Sequence, residues 1–125
     1  MKNELEFLTS LRRRVVVELE TFVYRVPPDA VGNAMAHGAV SAGLSDLRES
    51  LVEPYWVDVE IRDTFEQVSS EHGPRRRCAV VANDRRGIFL LWDPINSDFF
   101  LAQEIGGTLT SFGVRGDAVD CFLSR

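Results

Sequence analysis

Pro54 divides this chain between two periodicities, and that division limits what the chain can fold into. Before it, apolar residues recur at spacings near three and four, the repeat of a helix face. After it they alternate or run in short apolar blocks, the pattern of strands. Helices followed by strands predict an α+β fold.

Residues 3–26 read as one long helix. Leu5, Leu8, Val15, Leu19, Phe22 and Val26 form its stripe, with Leu11, Val16 and Val23 widening it and Arg12 interrupting it. Pro27-Pro28 stops it, because the residue before a proline is pushed out of helical geometry. A second helical region follows over about 29–52, opened by Pro28 and Asp29. Its first half is dense in small residues, from Ala30 to Gly43. Glycine costs about 1 kcal/mol inside a helix, so Gly32, Gly38 and Gly43 point to close approach of another helix. The competing reading breaks the region near Gly43 and starts a short third helix at 46–52, capped by Ser45.

Beyond Pro54, Tyr55, Val57, Val59 and Ile61 alternate with Trp56, Asp58, Glu60 and Arg62, which predicts a half-buried strand. Residues 63–74 read as a polar loop. Residues 77–82 and 88–92 are apolar on both faces and flank Asn83-Asp84-Arg85-Arg86-Gly87, which predicts a hairpin of central strands covered on each side. Residues 99–103 read as a fourth strand and Gly106-Gly107 as a turn. Residues 117–124 read as a last strand, with a short helix capped by Asp117 as the alternative. The expected architecture is a single α+β domain over 1–125: two N-terminal helices, with the short third as an option, packed on an antiparallel sheet of four to five strands that pair in sequence order.

The 125 residues carry a net charge of −5, unevenly placed. Residues 27–74 hold Arg48 and Arg62 against nine acids, a net −7, while the segments on either side are close to neutral. That balance argues against nucleic acid, whose phosphates need a basic face, and for a basic protein partner. The uncharged stretch 30–45 is too short and too polar to span a membrane. Glu4 and Glu6 stand where a secretory signal needs basic residues. The expectation is a soluble, cytoplasmic protein.

Cys78 and Cys121 sit in apolar runs and read as reduced core residues; a cross-strand disulfide is the alternative. With His37 and His72 as the only histidines, no set of ligands has metal spacing, and no metal or cofactor is expected. Serine-nucleophile, phosphate-loop and dinucleotide fingerprints are absent from the sequence. A paired-carboxylate role for Asp58 and Glu60 lacks a cleft to raise a pKa.

The sequence therefore proposes surfaces rather than chemistry. Trp56 lies on the face of Asp58, Glu60 and Arg62, and these four form the candidate partner-binding strip, since an indole among charges marks a binding hot spot unless something covers it. Arg115, between Gly113 and Gly116, is a candidate for holding a carboxylate or phosphate, in a turn where it could also pair with Asp117. His37, among small residues, is the second candidate ligand-binding residue. The expected function is a small acidic module, of inhibitor, immunity-protein or chaperone type, for a basic protein. One alternative is a small-molecule pocket or modest enzyme site between helices and sheet, shaped by residues 30–43 with Phe89, Phe99 and Phe100. The other is a homodimer through the first helix.

Overall fold

Five strands in sequence order close into a barrel. The computed structural model describes residues 2–22 and 37–125, with side chains from 4–22 and 39–125. The strands are β1 (Leu51–Glu60), β2 (Arg75–Asn83), β3 (Ile88–Asp93), β4 (Asp98–Ile105) and β5 (Thr108–Gly116). Each neighbouring pair is antiparallel. An odd number of alternating strands leaves the first and last running the same way, so the closing pair is parallel, Val59 beside Leu109 and Glu60 beside Thr110.

The strands that read as apolar on both faces are covered on both. Cys78, Val80, Leu91, Phe100 and Ala102 join Val59 and Ile61 in one buried cluster drawn from the strands and the end of β1, the barrel interior. Their neighbours Ala79, Val81, Leu90, Trp92, Phe99 and Leu101 point outward into a second cluster with the helices. Helices α1 (Lys2–Thr21), α2 (His37–Ser50) and α4 (Ala118–Leu123) supply the cover. The separate α3 (Phe65–Ser70) buries none of its residues.

Several elements differ from the sequence reading. Helix α1 ends at Thr21 rather than 26; 23–26 and 29–36, including most of the small-residue stretch, lie outside the described residues. Its buried stripe is Leu11, Val15 and Leu19, flanked by partly buried Leu8 and by Phe22 just past its end, while Leu5 is 68% exposed. Helix α2 continues unbroken through Gly43, whose missing Cβ makes room for Leu123 Cδ2 of α4, the close helix approach its glycines implied. α2 then passes straight into β1 at Leu51, so Pro54 lies inside a strand rather than before one. It is tolerated because the β1–β2 register slips between Leu51 and Tyr55, and a proline without an N–H fits such an irregularity.

The polar stretch 63–74 contains α3, held by a capping box: Thr64 Oγ1 accepts from the Gln67 N–H, and the Gln67 side chain accepts from the Thr64 N–H. β5 was absent from the sequence reading. Gly106 and Gly107, at φ +59° and +83°, supply the two positive φ values of a tight hairpin turn and let the chain return along β4. Residues 118–123 form the helix α4, not a strand, with Asp117 and Ser124 at its caps. Its buried residues Ala118, Val119, Cys121 and Phe122 follow helical spacing.

The Asp117 side chain makes no capping bond to α4. Glu18 of α1 lies near this helix start, its Oε2 buried with no hydrogen-bond partner among the described residues. Burial, then the nearby Asp117, push its carboxyl above the ordinary value, while the N–H groups of Val119 and Ala118 and the Arg14 charge only partly offset this. A carboxyl raised by folding adds stability below its unfolded pKa and loses it as pH rises through the folded one. Glu18→Gln is therefore expected to raise the thermal midpoint at about pH 7, with the gain shrinking at about pH 4. Melting curves at both pH values check the sign.

Candidate interaction surface

The alternation in β1 places Trp56, Asp58 and Glu60 on the outer face, with Arg62 following. Register with β2 then sets arginines against the acids: Asp58 lies opposite Arg77 and Glu60 opposite Arg75. Arg62 Nε donates to Glu60 at 2.5 Å and Arg62 Nη2 to the Glu71 carbonyl at 2.8 Å, linking the strip to the end of α3. The register alone forms no ion pair here: Arg77 pairs with Glu4 and Arg76 with Asp93, while the segment's own paired acids Asp46, Glu53, Glu60 and Asp63 meet Arg125, Arg12, Arg62 and Arg115.

Trp56 is covered by α1. The Phe7 ring stacks on it at 6.0 Å with an interplanar angle of 5°, the Arg77 guanidinium lies 5.4 Å from its centroid, and its other side packs on the outer core. Its Nε1 is buried without a hydrogen-bond partner among the described residues. A shallow groove of about 170 Å³ remains over this point, lined by Trp56, Val57, Asp58 and Arg77.

Arg115 is not in a turn and does not pair with Asp117. It lies near the end of β5, with its guanidinium among three carboxylates: Nε donates to Asp63 at 2.9 Å, and Nη1 to Asp98 at 2.8 Å and Asp93 at 3.1 Å. Its face covers the Phe100 ring at 4.8 Å. Arg76 donates to the same Asp93 oxygen, and the other oxygen accepts from the N–H groups of Ile95 and Asn96. Burial opposes the charge on Asp93, but those N–H groups and Arg76 outweigh it and hold the carboxyl below its ordinary value. The Nε and Nη1 of the fork that the sequence offers to a ligand are taken by the protein's own carboxylates, and the cluster ties β2, β3, β4 and β5 to Asp63.

His37 is the first residue of α2; its side chain lies outside the described residues. The three phenylalanines proposed to shape a pocket are not brought together. Phe99 faces the helices, whereas Phe100 and Phe89 belong to the barrel interior. Both cysteines are buried and free, Cys78 inside the barrel and Cys121 under the helices. Burial first, then Asp93 for Cys78 and Asp98 for Cys121, push each thiol up to about 12. At neutral pH both are protonated and poor nucleophiles. Among the described residues no cluster of histidine, cysteine and acidic side chains has metal-binding geometry. No described helix is long and apolar enough to cross a membrane.

Helix α3 lies in the stretch 63–74 that reads from sequence as a polar loop, and bonds hold it at both ends. Arg62 N–H donates to Ser111 Oγ and Asp63 pairs with Arg115 before the helix; after it, Glu71 takes a left-handed φ of +54°, its N–H reaches the Val68 carbonyl and the His72 N–H the Gln67 carbonyl. Gly73 then passes so close to the Ile61 carbonyl that a Cβ would collide with it. The findable signal was Thr64-Phe65-Glu66-Gln67, a capping-box spacing.

No family model matches this chain, and no curated protein or solved structure matches it.

Proposed function

We propose that this protein is a small acidic module that binds a basic protein, in the manner of an inhibitor, immunity protein or chaperone. The observation that carries the reading is where the negative charge stands. Glu49, Asp58, Glu66, Glu71 and Glu104 are exposed, with no ion-pair partner among the described residues, on a chain of net charge −5. Arg13, Arg48, Arg75, Arg85 and Arg86 are exposed without an ion-pair partner among the described residues as well, so it is the net acidic excess that steers an oppositely charged partner and makes its capture sensitive to salt. The strip of Trp56, Asp58, Glu60 and Arg62 belongs to this surface as a border, its indole stacked on Phe7, its Glu60 paired with Arg62 and its Asp58 free of an ion-pair partner among the described residues.

The test is capture by the tagged protein from a lysate of its own source, washed at low and at high salt. The expected result is one basic protein in near one-to-one amount, depleted by high salt. Capture that is indifferent to salt, an acidic partner, recovery of the chain's own copies alone, or no recovery would overturn the reading.

A further inference from the structure

We infer that α3 is the docking element for the basic partner, receiving an apolar side chain that is flanked by lysine or arginine. The inference rests on the proposed binding of a basic protein and adds where the contact is made. Helix α3 is six residues long and none of them is buried. A helix this short is unstable by itself in water, since its nucleation cost is repaid by few hydrogen bonds. Here it is held by caps at both ends, by the Arg62 guanidinium at the Glu71 carbonyl, and by ties from the Arg62 N–H to Ser111 and from Asp63 to Arg115 on the barrel.

What that scaffold displays is apolar. Phe65 is 85% exposed and Val68 53% exposed, three residues apart and so on one helix face. Phe65 is the most exposed of the large apolar residues described. A rigid, solvent-facing aromatic on an ordered element costs little further entropy when a partner covers it.

The chemistry of the occupant follows from the charges around it. Asp63, Glu66 and Glu71 neighbour the pair in sequence, no lysine or arginine occurs between residues 63 and 74, and the guanidinium of Arg62 at the Glu71 carbonyl is paired with Glu60. Asp63 is committed to Arg115, while Glu66 and Glu71 are exposed with no ion-pair partner among the described residues. An apolar patch rimmed by free carboxylates repels an anionic lipid surface and favours a cationic, apolar protein segment.

The test is a titration of the isotope-labelled full chain, followed by amide NMR. The probes are a synthetic amphipathic peptide of leucine and lysine and the same peptide with glutamate in place of lysine. The leucine-lysine peptide is expected to shift the amides of residues 63–71. Phe65→Ser is expected to weaken its binding at least tenfold, and Glu66→Lys with Glu71→Lys to do the same, with the thermal midpoint of each variant unchanged. The glutamate peptide is expected not to bind. If the lysine peptide shifts signals elsewhere, or binds Phe65→Ser equally well, α3 is not the docking element, although binding of a basic partner stands. If it does not bind and lysate capture also fails, both readings fall. Absence of peptide binding despite capture of a basic protein overturns the assignment of α3 alone. Binding to anionic vesicles that depends on Phe65 also overturns it, in favour of a lipid surface.

Discussion

Replacing Asp93 by alanine is expected to destabilise the protein by about 3–5 kcal/mol, because removing one partner of a buried ion pair strands the charges that remain. Asp93 is wholly buried and serves four donors: Arg76, Arg115 and the N–H groups of Ile95 and Asn96. Its loss leaves two guanidinium groups at the barrel end with less charge to face and opens the β3–β4 turn. Asp98 is a control in the same cluster. Its side chain is 27% exposed and shares Arg115 with other acids, so Asp98→Asn is expected to cost less than about 1 kcal/mol. Chemical denaturation of the three proteins measures the difference. The pH dependence has a definite sign. A carboxyl lowered by folding contributes stability above its unfolded pKa and loses it as pH falls through the folded value. The gap between wild type and Asp93→Asn should therefore close in acid, and a gap that widens there would contradict the role given to Asp93.

Phe122→Ala is the second large expected effect, about 3–5 kcal/mol from lost burial and a residual cavity. Phe122 is fully buried on α4, within the cluster that joins α1 and α2 to the outer barrel face. Asp120, two residues away and exposed, should change stability by no more than about 0.5 kcal/mol when replaced by alanine. The pair separates helix from strand in this segment. In a strand, residues 120 and 122 would share a face and respond alike; in the helix they lie on different sides. Similar small effects at both positions would contradict α4.

What could be read from the sequence, and what could not, follows from the range of the interactions involved. β2, β3 and β4 were legible because each is apolar on both faces, and the barrel interior and the helix layer cover those faces. β5 was missed because Gly106-Gly107 looks like a break until its two positive φ values make it a hairpin turn. The last segment was misassigned because Val119, Cys121 and Leu123 fit a strand, whereas the buried set includes Ala118 and Phe122. α3 carried a local signal, the capping box, hidden in a stretch that otherwise looked like polar loop. The Arg115 cluster carried none. Its partners lie 17, 22 and 52 residues away in sequence, so only the closed barrel assembles them. The strip on β1 was legible as a face, but not its covering by Phe7 or the Arg77 guanidinium over its indole, which depend on α1 packing and on β-register.

The most direct measurement of the central claim is amide hydrogen exchange on the complex with the captured basic protein, compared with the free chain. The account predicts that added protection concentrates in residues 58–71, with the greatest change in α3, while exchange in β2 to β4 is unaltered. Protection confined to α1, or spread along the outer helices with 63–71 unchanged, would contradict it.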